Sequence, residues 1–164
     1  RKHETHATVP WHVSHALIPR YSSSPVLRVL PGRQFEKFTE ESRAEFFSRP
    51  FIVLPQSDRM GYRLQGGPLR LAEPAEQLSE PVAFGTIQVP ADGNPIVLMA
   101  DRQTTGGYPK MAEVISVDLP LLAQAQVGSE IRFELVDMNE AQQKRMMLDL
   151  NIDLLKQTII AYAQ

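Results

Sequence analysis

Short apolar runs, each closed by proline, glycine or a cluster of polar residues, follow one another along most of the chain. Runs of this kind predict β-strands. The predicted strands cover residues 26–30, 51–54, 59–64, 86–89, 95–100, 112–117 and 131–136, and residues 69–71 are expected to continue the same sheet. Ala91-Asp92-Gly93-Asn94 joins two of them as a hairpin, because Asp-Gly supports left-handed turn geometry. The pattern therefore predicts a mainly-β, mainly antiparallel domain that closes into a barrel.

Helical patterns occur at three other places. Thr39 is the predicted N-cap of a short helix through residues 46–47, because two glutamates follow it in the first turn. Asp118 is predicted to cap a second short helix that ends near Gln124. From about residue 139 to 162, apolar residues recur at helical spacing, which predicts one long amphipathic helix. We expect its apolar face to cap the barrel; docking to another protein is the alternative.

Three parts are predicted along the chain. They are a leading arm or linker (1–25), the β-barrel (26–137) and the C-terminal amphipathic helix (138–164). All four histidines lie in the arm. Their spacing, His3-x-x-His6 and His12-x-x-His15, is compatible with metal ligands, but structural zinc sites usually add cysteine or carboxylate ligands in an ordered frame. We therefore favour a mobile arm and predict no metal site. The pattern over residues 73–80 is ambiguous.

The composition of the chain argues against several classes of function. The 164-residue chain has a net charge of −2 and a pI near 6.1, which argues against binding nucleic acid or an acidic membrane surface. It has no apolar window long enough to span a membrane. Cysteine is absent, which excludes disulfides and thiolate chemistry and agrees with a cytoplasmic location. No Ser-His-Asp order, Walker loop, dinucleotide fingerprint or HExxH motif is present.

The segment from Asp101 to Lys110 is the most informative stretch for function, since it places many polar groups between two predicted strands. Tight hairpin connections use only about two to five residues. A longer connection rich in hydrogen-bonding groups predicts a surface that binds a polar molecule. The alternative is a surface loop whose polar groups hydrogen-bond to one another. The candidate binding groups are Asp101, Arg102, Gln103, Thr104, Thr105, Gly106, Gly107, Tyr108 and Lys110.

Within this segment, Gly106-Gly107 allows backbone N–H groups to converge on an anion, as in nest-like sites. Arg102 and Lys110 would supply positive charge. Gln88 lies on the preceding hairpin and is expected to share one end of the sheet with the segment, whereas Asp92 would emerge at the opposite end.

A second candidate is the pair Arg59 and Arg63. Their even spacing places both side chains on one face of an unbroken strand. Two guanidinium groups on one face suit a carboxylate or phosphate. Surface ion pairs with Asp58 or a glutamate are an equally good interpretation.

Three stretches resemble a known family: residues 57–64 (Ser-Asp-Arg-Met-Gly-Tyr-Arg-Leu), 85–98 and 101–110. Over residues 26–136 the chain closely resembles the allophanate hydrolase subunit 2 family. This family includes the C component of bacterial ATP-dependent 5-oxoprolinase, the antagonist of the Kip sporulation-kinase inhibitor, and the carboxyltransferase part of biotin-dependent urea carboxylase. Members are roughly twice this long, so we expect a fragment that corresponds to their C-terminal half. The fold implied is a cyclophilin-like closed β-barrel.

The resemblance implies a parent activity that opens the lactam of 5-oxoproline to glutamate with ATP and Mg²⁺. Phosphoryl transfer needs cations and hydrogen-bond donors. The resemblance implies that four cationic side chains act as clamps on the phosphoryl group and the bound carboxylate, and that the neutral side chains orient the amide. It implies that Asp101 holds Mg²⁺ or fixes the position of Arg102. The clamps are Arg59, Arg63, Arg102 and Lys110, and the orienting groups are Gln88, Gln103, Thr104, Thr105 and Tyr108.

Partners and alternatives also follow from the resemblance. The implied partner is a protein like the B component of 5-oxoprolinase, of the allophanate hydrolase subunit 1 or Kip inhibitor type, with the A component as a further one. In a urea carboxylase the same loop would orient carboxybiotin and an amide acceptor. In the Kip interpretation the protein is a non-catalytic module that binds the inhibitor. In the family, the sites lie in a cleft shared with the other lobe and the partner, so the fragment alone is expected to be inactive.

Overall fold

The structure is a computed structural model that describes residues 12–73 and 78–162. The pair His3 and His6, and part of the ambiguous region 73–80, lie outside the described residues. His12 and His15 are both exposed. The part of the chain that is described holds no group of three potential metal-ligating side chains.

Seven strands form the closed barrel, in the order β1-β8-β5-β6-β3-β2-β9, and β4 pairs with β7 in a separate two-stranded sheet. The strands are β1 (Val26–Pro31), β2 (Phe51–Val53), β3 (Gly61–Gln65), β4 (Glu80–Pro81), β5 (Thr86–Gln88), β6 (Ile96–Leu98), β7 (Thr105–Gly106), β8 (Lys110–Val114) and β9 (Glu130–Leu135). All neighbours are antiparallel except β1 and β9, whose parallel pairing closes the barrel. The predicted mainly antiparallel closed barrel is confirmed.

Alternating strand residues fill the barrel. On β1, Leu27 and Val29 point inward and are buried, and on β9, Ile131 and Phe133 do the same. The rings of Phe46 and Phe133 stack at 4.5 Å between centroids. Such burial of apolar area is the main favourable term in folding, and it makes the barrel a rigid support for its loops.

Some strand boundaries differ from the prediction. The predicted strand 59–64 begins only at Gly61, and residues 69–71 contribute a single bridge between Leu71 and Phe38 rather than a strand. The hairpin that joins β5 to β6 is confirmed, with Ile87 opposite Val97 and Gly93 at φ +81°. This positive φ explains the glycine in the turn.

The two short helices lie where the sequence predicts them. In α1 (Glu40–Ser48) the Thr39 hydroxyl accepts a hydrogen bond from the Ser42 N–H at 3.1 Å, which confirms the N-cap. In α2 (Leu119–Ala123) Asp118 holds the N-cap position, but its side chain makes no capping bond. Its carboxylate instead accepts hydrogen bonds from the backbone N–H and Nε of Arg28, both at 2.8 Å. The ion pair with Arg28, which is distant in the sequence, therefore replaces the local capping hydrogen bond of Asp118.

The long helix α3 (Met138–Tyr162) is present as predicted. Its expected role as a cap on the barrel is wrong, because the apolar side chains of its middle and end face outward. Met146, Met147, Leu150, Leu154 and Ile160 are 60% to 66% exposed. On another side, Leu148 and Ile152 line a shallow hollow together with Leu17 of the arm. No helix among residues 12–73 and 78–162 combines the length and the hydropathy needed to cross a membrane.

Candidate functional site

A cavity of about 610 Å³ opens between the strands β3, β5 and β6 and the polar segment that follows β6. Its volume lies in the range of small-molecule sites, about 300 to 1,000 Å³. Among the residues predicted from the sequence, those that line it are Arg63, Gln88, Arg102, Gln103, Thr105, Gly106, Gly107 and Tyr108. The barrel thus brings two separate sequence motifs to one hollow.

Gln88 forms part of the wall of this cavity. It ends β5, is only 5% exposed, and its amide Nε2 has no hydrogen-bond partner among the described residues. A buried amide without a partner costs roughly 1 to 3 kcal/mol. The buried amide therefore gives the wall of the cavity a hydrogen-bond donor that no described residue uses. The expectation that Gln88 shares an end of the sheet with the polar segment is confirmed.

Gly106 lies directly against that amide. A Cβ at this position would stand 2.1 Å from Nε2 of Gln88, so a side chain here requires Gln88 to move. The predicted nest is not formed by left-handed glycines, since positive φ values among the described residues occur at Gly85, Gly93 and Gly128 only. Glycine is needed at position 106 because the Gln88 amide approaches its α-carbon closely, and not because the backbone conformation is unusual.

Two guanidinium groups give the cavity positive charge. Arg102 donates through Nε to the carbonyl of Val82 and through a terminal nitrogen to that of Met99, each at 3.4 Å. Neither Arg102 nor Arg63 has a carboxylate partner within the described ranges. Their charge is therefore available to an anionic ligand.

Asp58, which the sequence suggested only as an ion-pair partner of Arg59 and Arg63, also lines the cavity. One carboxylate oxygen accepts backbone hydrogen bonds from Met60 at 2.8 Å and Gly61 at 3.1 Å, which fixes the orientation of the carboxylate. An aspartate two residues before a bonded N–H is the signature of an Asx turn, and this signal could have identified its rigid placement. Gln56 and Ser79 also line the cavity, without a comparable signal.

Four predicted site residues do not line the cavity. Arg59 and Asp101 pair with each other on the exterior, with Nε 2.8 Å from a carboxylate oxygen. The expected pairing of Asp101 with Arg102 is thus wrong, and Arg59 does not share a site with Arg63, because β3 starts after it. Thr104 is exposed.

Lys110 is the fourth. It begins β8, is only 4% exposed, and its Nζ lies 3.1 Å from the carboxylate of Glu80. The hydrogen bond from Lys110 holds the pKa of Glu80 below its usual value, with help from Gln34 and Arg33. Lys110 is thus paired with Glu80 and does not face the cavity.

Together, the residues that line the cavity supply a buried amide donor without a described partner, two guanidinium groups without a described carboxylate partner, the hydroxyl groups of Thr105 and Tyr108, and one oriented carboxylate. Such an arrangement suits a small molecule that carries carbonyl or anionic oxygens. The single lining carboxylate is compatible with a metal ion that arrives with a ligand, but it is not a complete metal site.

Comparisons with known proteins identify the family of the chain. A family model described as the carboxyltransferase domain, subdomain A and B, matches residues 1–135. The C component of the 5-oxoprolinase of Haemophilus influenzae is 44% identical over 134 residues, which are 82% of this chain and 43% of that protein. The C component of the 5-oxoprolinase of Escherichia coli is 44% identical over 119 residues, which are 73% of this chain and 38% of that protein.

Among solved structures, the urea amidolyase of K. lactis matches with a TM-score of 0.81 and 25% identity, over 85% of this chain and 9% of that one. The chain spans less than half the length of the two 5-oxoprolinase relatives. The family match covers most of the chain and includes the barrel with its cavity. The chain therefore belongs to the carboxyltransferase domain family, subdomains A and B, which confirms its resemblance to allophanate hydrolase subunit 2.

Proposed function

We propose that this chain is the C-terminal lobe of the C component of an ATP-dependent 5-oxoprolinase, in which it helps to open the lactam of 5-oxoproline to glutamate. The 44% identity to two proteins of that name supports the assignment. The observation that carries it is the unpartnered amide of Gln88, buried in the wall of a cavity that also holds Arg63 and Arg102. 5-Oxoproline has both a carbonyl oxygen for an amide donor and a carboxylate for a guanidinium group.

Within this proposal, Gln88 donates to the lactam oxygen and Arg63 or Arg102 binds the carboxylate. Thr105 and Tyr108 supply further hydroxyl groups to the same hollow. The carboxylate of Asp58, held by two backbone N–H groups, accepts a hydrogen bond from the lactam N–H. Gln88 and Arg63 are placed by strands of the barrel, and Asp58 by the turn before β3, which keeps this part of the site pre-organised.

The residues present fit the phosphate groups of ATP better than a resident metal ion. ATP, when bound, supplies the phosphoryl group that activates the lactam oxygen. Arg63 and Arg102 offer uncompensated positive charge, which suits phosphate oxygens. Mg²⁺ is usually held by one or two carboxylates together with substrate phosphates, and Asp58 is the carboxylate that the cavity offers.

The complete site is proposed to need further protein. The chain covers less than half of its relatives, and the cavity opens on one side to solvent. We infer that the remaining lobe and a partner like the B component of 5-oxoprolinase close it, with the A component as a further part of the complex. The described fragment alone is then expected to be inactive.

Carboxyl transfer is the second candidate function. It is supported by the description of the matching family and by the likeness to urea amidolyase. In that case Gln88 and the guanidinium groups orient an amide acceptor and carboxybiotin. The same donors serve both reactions, so the cavity does not discriminate between them, whereas the identity to the two 5-oxoprolinase relatives favours 5-oxoprolinase.

The test is an activity assay of the full-length protein, reconstituted with its partner components, on 5-oxoproline with ATP. The proposal predicts glutamate formation that depends on all components. Carboxylation of urea or another amide in the presence of carboxybiotin, without glutamate formation, supports the second candidate. Tight binding to a protein like the B component, with no turnover of either kind, would point to a non-catalytic antagonist of the Kip type.

A further inference from the structure

A buried ion pair lies directly behind the cavity. Nζ of Lys110 donates to Oε2 of Glu80 at 3.1 Å, and the two side chains are 5% and 22% exposed. A lysine buried to this extent needs a partner, because an unpaired charge in a protein interior is strongly destabilising. Lys110 belongs to the polar segment of the sequence, but its partner comes from β4, outside both motifs.

The same carboxylate is held from a second direction. Nε2 of Gln34 donates to Oε2 of Glu80 at 3.3 Å, and a terminal nitrogen of Arg33 lies 3.5 Å from the other oxygen. Gln34 is itself buried, and its side-chain carbonyl oxygen accepts a hydrogen bond from the backbone N–H of Lys110 at 3.1 Å. Glu80 is thus fixed to β8 and to the segment after β1 at once.

From Glu80 the contacts continue to the cavity. In the β4–β7 sheet, Glu80 is opposite Gly106 and Pro81 is opposite Thr105. The next residue, Val82, donates its N–H to the carbonyl of Thr104 at 3.0 Å and accepts from Nε of Arg102 at 3.4 Å. Residues 102–106, all of which except Thr104 line the cavity, form its rim, and strand pairing and hydrogen bonds attach this rim to residues 80–82.

We propose that Glu80 and Lys110 are positioning residues that fix the rim of the cavity, residues 102–106, through β4. The ion pair anchors β4 to the barrel, β4 anchors β7, and β7 sets Gly106 against Gln88. The side chains of Glu80 and Lys110 act through their neighbours and touch no ligand. The activity part of this inference rests on the proposed function, whereas the structural part does not.

The first test measures the rim itself. In the full-length protein, Glu80→Gln is compared with Glu45→Gln, which makes the same change in a glutamate that is also 22% exposed and also ion-paired, to Arg49 at the end of α1. We expect amide hydrogen exchange at residues 104–106 to become at least about tenfold faster in Glu80→Gln, since the local opening free energy falls. Exchange in β2 and β9 should match that of Glu45→Gln.

A double variant separates positioning from simple destabilisation. Glu80→Gln leaves the buried charge of Lys110 without its partner and should lower the melting temperature. Adding Lys110→Met removes that charge and should restore the melting temperature, yet exchange at residues 104–106 should stay fast. Equal exchange in Glu80→Gln and Glu45→Gln, or full recovery of rim protection in the double variant, overturns the proposal.

The second test uses the reconstituted 5-oxoprolinase. The double variant should raise KM for 5-oxoproline by about tenfold and change kcat by less than about threefold, because a displaced rim weakens ground-state and transition-state binding alike. An unchanged KM overturns the positioning role. If the unmodified complex shows no turnover, the proposed function fails, and the exchange experiment still decides whether the ion pair fixes the rim.

Discussion

The amide nitrogen of Gln88 and the α-carbon of Gly106 lie so close that a Cβ on residue 106 would stand 2.1 Å from Nε2. The wall of the cavity and its rim are thus in direct contact, although the two residues come from separate sequence motifs. The contact lies beside the one buried amide that lacks a partner in the described part of the chain.

Gly106→Ala tests this contact. The added methyl group must displace the Gln88 amide, so we expect KM for the substrate to rise by about tenfold or more, a loss near ~1.4 kcal/mol of binding. Gly67→Ala is the matched control, because a Cβ there meets only the ends of the Arg49 and Glu45 side chains at 3.1 Å. Equal kinetics in the two variants would show that the contact has no role in binding.

Gln88→Leu should separate stability from binding. The substitution puts an apolar side chain of similar size in the wall and removes a buried donor that lacks a described partner, so the free energy of unfolding should stay level or rise by up to about 1 kcal/mol. Ligand binding should be lost, because the donor is lost. A denaturant titration and a substrate titration on the same variant check both parts. A variant that is destabilised and still binds would contradict this role.

The ion pair between Arg28 and Asp118 is predicted to be structural. Asp118 is 1% exposed and accepts three hydrogen bonds from Arg28, whose guanidinium pKa is raised chiefly by the hydrogen bond to Asp118. Asp118→Ala should therefore lower the free energy of unfolding by about 3 kcal/mol. Asp149→Ala breaks the exposed pair with Arg145 and should cost less than about 1 kcal/mol. Comparable losses in both variants would contradict this ranking.

The Glu80 carboxylate makes the rim sensitive to acid. Its pKa is lowered in the folded protein, first by the hydrogen bond from Lys110 and then by Gln34 and Arg33. Its contribution to stability is complete above the ordinary glutamate pKa of about 4.3 and is lost as the pH falls through the lowered folded-state value. The NMR shift of the Gly106 amide should therefore titrate with a midpoint below about 4.3. This titration should disappear in Glu80→Gln and persist in Glu45→Gln.

The exposed apolar face of α3 is predicted to mediate association. Leu150 and Leu154 are 60% and 62% exposed, and a broad apolar stripe in water favours contact with another surface. A Leu150→Glu/Leu154→Lys variant should sediment as a smaller species than the unmodified protein, with an unchanged melting temperature. Gln157→Glu, on the same helix, is the control for added charge. An unchanged size in solution would show that this face does not mediate association.

Local patterns were sufficient to predict the seven strands of the barrel, the Asp-Gly hairpin and the Thr39 cap, because each depends on neighbours within a few residues, whereas the short strands β4 and β7 were missed. The shared location of Gln88 and the polar segment also followed from strand alternation. The Arg28–Asp118 pair did not follow from a local pattern. Arg28 is distant in the sequence, and it binds the carboxylate that was predicted to cap α2. Lys110 was misplaced for a similar reason: its partner, Glu80, lies in a region whose pattern was ambiguous. Helical periodicity predicts α3 equally well whether its apolar face is covered or exposed.

The most direct measurement of the central claim is a crystal structure of the full-length protein with 5-oxoproline bound. We expect the lactam oxygen within hydrogen-bonding distance of Nε2 of Gln88 and the carboxylate against Arg63 or Arg102. A ligand that binds elsewhere in the protein, with the Gln88 amide still unpartnered, would contradict it.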